Sequence, residues 1–295
     1  MYIGIDVGGT SVKWGIVDNQ LNIVEKSSFP TNKESDIALL QDICAVVNEK
    51  KKKYSFDFVG MGSPGLVDSS LGIIRDSANT PFENTNAAQI ITQLTGLKAY
   101  VENDANCAAY GEFCASGASL KNVIMLTLGT GVGGGIIIDG KLFSGSSGKG
   151  GELGHMIISH GGKKCTCGRN GCLEAYASVT ALVKMFRERL EKDGTIGGVN
   201  VSPEEIDGKF IFDLASKNNK VACELLDEYF SYLASGFDTL VNIFDPELIV
   251  LAGGITNKKE ILMKHLTPHL NPEWNIQISR LGNDAGFIGA ALLGR

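Results

Sequence analysis

The sequence predicts a mixed α/β chain built as two related halves with a cleft between them. Three observations carry that prediction. An apolar strand, a glycine–threonine loop and a hairpin strand open the chain at residues 2–17, and the same plan recurs at residues 123–138, as an internal duplication would give. Apolar runs of strand length alternate with runs of helical spacing through both halves. Glycine supplies 37 of the 295 residues and is concentrated in a few loops, so it answers to local backbone demands.

The elements follow in order. Tyr2–Val7 is a buried strand ending in Gly8-Gly9-Thr10. Ser11–Val17 and Leu21–Phe29 are strands joined by a turn at Asp18-Asn19-Gln20. Asp36–Lys52 is a helix with apolar residues at Ile37, Leu40, Ile43, Val46 and Val47, and the lysine run 50–53 is its solvated end. Phe56–Met61 is a strand closed by Gly62-Ser63-Pro64-Gly65. Helix 87–94, strand 99–101 and helix 105–115 complete the first half. The second runs from strand 123–128 through the glycine run Gly129–Gly135 to Ile136-Ile137-Ile138, then a connector at 145–151. Helices follow at 179–192, 210–217 and 221–243. A strand at 248–251 ends in Gly253-Gly254. The chain closes with helix 258–269, strand 276–278 and a Gly/Ala-rich helix at 285–293.

Three glycine-rich loops each follow an apolar strand: Asp6–Thr10, Gly129–Gly135 and Gly253-Gly254. Glycine there lets backbone N–H groups approach anionic oxygens, and Thr10 and Thr130 add hydroxyl donors. Asp6 has the hard oxygen ligands that Mg²⁺ takes. One such loop is usually only a turn; three raise the odds of a phosphate clamp. None has the Gly-Lys-Ser/Thr ending of a P-loop or the immediate helix of a dinucleotide fingerprint.

Cys165, Cys167 and Cys172 crowd into eight residues just after His155. Three thiolates and an imidazole are a common closed zinc set, and Gly168 and Gly171 let the loop fold back on itself. Disulfides fit an odd-numbered cluster poorly, and scattered buried thiols are the other plain alternative. Glu152 and Glu174 flank the cluster without being needed as ligands, which suggests a metal knot that holds acidic groups for a polar ligand. His160 is a rival ligand by type. His265 and His269 read as helix-surface histidines.

Asp104, in Glu102-Asn103-Asp104-Ala105-Asn106, has two readings. It caps the following helix, or it accepts the proton of an attacking hydroxyl, as phosphoryl transfer to an alcohol requires. Asn103 offers an amide to neighbouring hydroxyls.

With 43% hydrophobic and 20% charged residues, the composition is globular and suits two domains. No run approaches the ~18–20 apolar residues of a spanning helix, and the N-terminus lacks the pattern of a signal peptide. The seven cysteines then point to a reducing cytoplasm. A net charge of -6 argues against a nucleic-acid surface.

Taken together, these residues strongly resemble the ROK family of sugar kinases, which contains bacterial ATP-dependent glucokinases and N-acetylmannosamine kinases. The resemblance covers essentially the whole chain. It rests on Asp6-Val7-Gly8-Gly9-Thr10 with Lys13, Ser63-Pro64-Gly65, the segment 102–106, the run 128–135, Glu152-Leu153-Gly154-His155, the cysteine knot through Glu174, and Gly253-Gly254. It implies an actin-like ATPase (ribonuclease H-like) fold. Two lobes, residues 1–117 with 284–295 and residues 118–283, close on ATP–Mg²⁺ and a hexose, as a cytoplasmic homodimer.

The resemblance further implies roles. Asp104 is the catalytic base. Gly65, Asn84, Asn103, Glu152, His155 and Glu174 contact the sugar. Asp6, Gly8, Gly9, Thr10, Lys13, Thr130, Gly131, Gly253 and Gly254 contact the nucleotide, although Lys13 could equally be a surface residue of its strand. His155, Cys165, Cys167 and Cys172 hold a structural Zn²⁺, with one imidazole nitrogen on metal and the other facing sugar. The sugar-facing loop 76–86 departs from the family by lacking a Trp. Either Asn79 or Asn84 supplies its amide, and the identity of the sugar stays open among glucose, N-acetylhexosamines such as N-acetylmannosamine, fructose, allose and β-glucosides. A sugar-sensing repressor is the rival reading. Such relatives carry an extra N-terminal helix-turn-helix, and a first strand at Tyr2 favours a kinase.

Overall fold

The computed structural model describes residues 1–117 and 119–295; Ala118, the first residue of the expected C-terminal lobe, lies outside the described residues. The first part of the chain forms β1 (Tyr2–Val7), β2 (Ser11–Val17), β3 (Ile23–Pro30), α1 (Asp36–Lys50), β4 (Phe58–Ser63), β5 (Leu66–Asp68), β6 (Ile73–Asp76), β7 (Glu83–Thr85), α2 (Ala87–Thr95), β8 (Lys98–Asn103) and α3 (Asp104–Ala115). It continues with β9 (Val123–Leu128), β10 (Val132–Ile138), β11 (Lys141–Leu142), α4 (Glu174–Ala177), α5 (Val179–Asp193), α6 (Gly208–Ser216), α7 (Lys220–Phe244), β12 (Leu248–Ala252), α8 (Lys259–Leu266), β13 (Ile276–Ile278) and α9 (Ala285–Leu292).

Two five-stranded sheets follow one plan. The first has the order β3-β2-β1-β4-β8 and the second β11-β10-β9-β12-β13. In the first, β1, β2 and β3 form an antiparallel meander, and β4 and β8 add in parallel beside β1. The repeated order matches the duplicated strand–loop–strand openings. The chain divides into two compact units, Met1–Val123 with Gly135–Gly151 and Arg280–Arg295, and Ile124–Gly134 with Glu152–Ser279.

In the first unit, strand alternation sends Ile3, Ile5 and Val7 into a core shared with Leu40, Ile43 and Val47 of α1. On the opposite face, Gly4 of β1 and Gly60 of β4 carry no side chain. A Cβ on Gly4 would stand 1.8 Å from the Phe287 carbonyl oxygen, and one on Gly60 would stand 1.7 Å from that of Ala290. Bare backbone there lets α9 lie directly on the sheet.

Two features differ from the sequence reading. The segment expected as one sugar-facing loop ends in β7, part of a three-stranded sheet β5-β6-β7; strands of three and four residues are too short to display alternation. The glycine run is a loop only to Gly131, and Gly133–Gly135 belong to β10. A Cβ at Gly135 would meet that of Ala109 on α3 at 2.4 Å, so here glycine serves helix packing. Among the described residues, no helix is long and apolar enough to cross a membrane.

Candidate active site

In the first unit the candidate residues gather at the carboxyl ends of three adjacent parallel strands, where α/β sheets present ligand sites. Asp6 on β1 pairs in register with Gly62 on β4, and Gly62 with Glu102 on β8. Gly62 places no side chain between them, and a Cβ there would lie 3.1 Å from the Cys107 sulfur. Beyond Glu102, the chain turns into α3.

Asn103, not Asp104, is the cap of α3: its Oδ1 accepts the N–H groups of Ala105 at 2.9 Å and Asn106 at 3.2 Å. The Asn103 amide donates to the Gly65 carbonyl at 3.1 Å. Gly65 has φ +90°, and a Cβ would collide with the Asp76 carbonyl oxygen at 2.0 Å, so only glycine fits. Asp104 occupies the first helical position and accepts the Ala105 N–H at 2.9 Å. Burial pushes the Asp6 carboxyl up to about 6; the neighbouring Asp104 carboxylate adds to this, and Lys13, its cross-strand partner, opposes it. Lys13 also reaches the Asn283 carbonyl at 3.5 Å. Two oxygen-ligand groups that repel each other in a half-buried place suit a hard divalent cation.

The loop after β1 is held by backbone and hydroxyl bonds. Gly8 N–H donates to Ser11 at 3.0 Å, the Thr31 hydroxyl donates to the Gly8 carbonyl at 2.6 Å, and Thr31 N–H donates to Thr10 at 3.0 Å. Gly9 is closed over by Asn79, whose Cβ would be 2.9 Å from a Cβ there. Asn84 is exposed on β7 with φ +49°. The two amides left open by the sequence thus stand in different settings, and only Asn79 lies against the glycine loop.

The second unit brings the thiols and imidazole together. The ligand atoms of His155, Cys165, Cys167 and Cys172 lie within 4.8 Å of one another. Cys165 Sγ is 3.6 Å from His155 Nδ1, and the Cys167 and Cys172 sulfurs are 3.6 Å apart. A disulfide would need ~2.05 Å, whereas zinc at ~2.3 Å from sulfur gives tetrahedral edges of about 3.5–3.8 Å. The donor set therefore fits Zn²⁺. Arg169, through its backbone and then its side chain, holds the Cys167 thiol down at about 6, favouring the thiolate that binds metal. Gly168 and Gly171 adopt φ +86° and +85°, and a Cβ on Gly171 would strike the Ser159 carbonyl oxygen at 1.8 Å. His160 is exposed and outside the cluster. With Nδ1 facing the thiols, His155 Nε2 stands 4.0 Å from the exposed carboxylate of Glu152.

Beside the knot, Thr130 and Gly131 lie in the loop between β9 and β10. Gly253 has φ +103°, and a Cβ would meet the Leu128 carbonyl oxygen at 2.1 Å, while Gly254 faces open space. A cavity of about 980 Å³ lies along this edge, with Thr130 and Gly254 in its wall and Val179, Val183, Phe212 and Ile255 as its apolar lining. Sequence reading missed this wall, because its residues come from α5, α6 and the turn after β12. Sequence reading also misplaced His265: it is 4% exposed and bonds through Nδ1 to Asp227 at 2.7 Å. Its place between Leu262 and Leu266, both buried, was the available signal.

Comparison with known proteins gives a consistent result. A model described as "ROK family" matches residues 2–295. The chain is 34% identical to a glucokinase from Thermotoga maritima, covering 98% of this chain and 95% of that protein. It is 29% identical to an N-acetyl-D-glucosamine kinase from Haemophilus influenzae, covering 99% of each. Its fold is similar to that of a ROK family glucokinase from Streptomyces griseus in complex with glucose and AMPPNP, with TM-score 0.83, 32% identity and coverage of 99% and 98%.

Proposed function

The chain belongs to the ROK family, with the actin-like fold and ATP-dependent hexose kinase activity of its relatives, and from that premise we propose how its residues carry the transfer. Asp104 takes the proton of a sugar hydroxyl as that oxygen bonds to the γ-phosphorus of ATP. The bond from γ-phosphorus to the β–γ bridging oxygen breaks, and ADP leaves. A loose transition state needs little base strength, so a carboxylate that orients the hydroxyl suffices. The observation that supports this most is position: Asn103 caps α3, and the Asp104 carboxylate, which accepts the Ala105 N–H at 2.9 Å, lies beside Asp6 at the strand ends.

Asp6, Gly8, Gly9 and Thr10, with Lys13, are assigned to the nucleotide phosphates, and Asp6 is the residue to hold Mg²⁺. When bound, Mg²⁺ neutralises charge developing on the phosphate oxygens. Thr130 and Gly131 are the second phosphate loop. Gly253 and Gly254 are the adenosine-side turn, and Gly254 borders the 980 Å³ cavity, whose apolar wall suits the adenosine base. Asn103, Glu152, His155 and Glu174, with Gly65 and Asn84, are assigned to the sugar, and binding it in one pose aligns the hydroxyl with phosphorus. His155, Cys165, Cys167 and Cys172 would hold Zn²⁺, whose chemistry there is to fix the imidazole. The reading includes a reducing, cytoplasmic setting, supported by seven cysteines that form no disulfide, and a homodimer as the family resemblance implies.

The proposed acceptor is the 6-hydroxyl of glucose or of an N-acetylhexosamine such as N-acetylmannosamine. A coupled ADP-release assay over glucose, N-acetylglucosamine, N-acetylmannosamine, fructose, allose and a β-glucoside tests it. Turnover confined to the last three would refute the substrate reading, and no turnover with any sugar would refute the transfer.

A further inference from the structure

The loop after β9 is fastened at three points. Its Gly129 carbonyl accepts the Val179 N–H at 2.8 Å, and its Thr130 carbonyl accepts the Thr180 hydroxyl at 2.7 Å, both from the start of α5. The third tie runs elsewhere. Val132 N–H donates to Glu174 Oε2 at 3.0 Å, and Glu174 Oε1 accepts the Thr166 hydroxyl at 2.8 Å and lies 3.6 Å from Cys165 Sγ. Thr166 sits between two of the knot cysteines. Gly131 closes over the same carboxylate so tightly that a Cβ would stand 2.4 Å from Oε2. A small cavity of about 120 Å³ has Thr130, Cys165, Thr166, Glu174 and Thr180 all in its wall.

We propose that Thr166 and Glu174 are positioning residues for the nucleotide, a relay through which the cysteine knot sets the conformation of the second phosphate loop. Each of the two carboxylate oxygens has its own partner, one in the knot and one in the loop. Removing the knot-side partner frees the carboxylate to rotate, and the Val132 N–H loses its fixed acceptor. The loop then samples conformations in which its donors no longer converge on phosphate, and that ordering must be supplied on binding. Glu174 is itself assigned to the sugar, whereas the sugar contacts made by Glu152, Asn103 and Asp104 do not pass through this path. The inference rests on the assignment of residues 129–132 to the nucleotide phosphates.

Isothermal titration of a non-hydrolysable ATP analogue and, separately, of the accepted sugar tests the relay. Thr166→Val removes the hydroxyl at nearly constant volume, and Gly131→Ala displaces the carboxylate while leaving the knot untouched. Each should weaken nucleotide binding roughly three- to tenfold with bound zinc unchanged and with sugar binding reduced by a smaller factor, because Glu174 is also assigned to the sugar, and Thr166→Ser should restore wild-type affinity. Thr130→Val separates the two levels. If it weakens nucleotide binding while Thr166→Val and Gly131→Ala do not, the relay is overturned alone. If none of these variants alters nucleotide binding, the loop assignment falls and the relay with it. Loss of sugar affinity in place of nucleotide affinity also overturns the relay, since Glu174 would then be acting on the sugar alone.

Discussion

Glu102 accepts the backbone N–H of Asn103 at 2.7 Å, one residue ahead of the carboxylate assigned as base. The same oxygen accepts the Asn106 amide at 3.0 Å, and the second accepts the Ser144 hydroxyl at 3.2 Å. Glu102 is only 5% exposed, so this carboxylate is a buried bracket that sets the first turn of α3 and with it the aim of Asp104. Glu102→Gln places a donor where donors already converge. It should lower kcat about tenfold or more with sugar KM changed little, and cost about 1–3 kcal/mol of stability. Steady-state kinetics with urea melts check this; unaltered kcat at reduced stability would leave Glu102 a purely structural group.

Asp6 makes stability depend on pH in an unusual direction. Its carboxyl stands at about 6 against an ordinary 3.8. Between those values the folded protein keeps a proton that the unfolded chain has released, so stability falls as pH rises through the window. Without nucleotide or Mg²⁺, Asp6→Asn should be more stable than wild type at pH 7.5 by about 1–3 kcal/mol and nearly equal to it below pH ~4. Urea denaturation at the two pH values measures the difference. A variant less stable at pH 7.5 would show that the Lys13 attraction outweighs burial and the Asp104 charge.

Much of this was legible in sequence, because the informative features are local. A glycine loop behind an apolar strand, or three cysteines in eight residues, can be read within a short window. The capping of α3 was read from sequence as a role open to Asp104, and geometry gives it to Asn103. What stayed hidden depends on distant partners. Thr180 bonds to Thr130 from 50 residues away, and the Glu174 tie to Val132 spans 42. Gly4 of β1 and Gly60 of β4 are intelligible only once α9, at the far end of the chain, lies across them.

Cys167 tests the metal assignment. It is the exposed member of the knot, with its thiol held down at about 6. Cys167→Ser should bring bound zinc to background, lower the melting temperature and raise sugar KM, because the ring of His155 is no longer fixed. Metal analysis of the purified variant decides the first point. Zinc retained in full would mean that the exposed thiol is not a ligand.

Asp104→Asn is the sharpest test of the chemistry. The amide keeps the size of the side chain and the acceptor for the Ala105 N–H, so α3 should start as before under its Asn103 cap. What it cannot do is take a proton. Turnover should fall on the order of 10²–10⁴-fold while nucleotide and sugar still bind with Kd values close to wild type. Raising the pH should not recover the lost activity, since the amide cannot ionise to a base. Calorimetric binding beside ADP-release kinetics separates the cases. Loss of sugar binding with kcat preserved would make Asp104 an anchor for the hydroxyl, and the proton would then have to leave through another group.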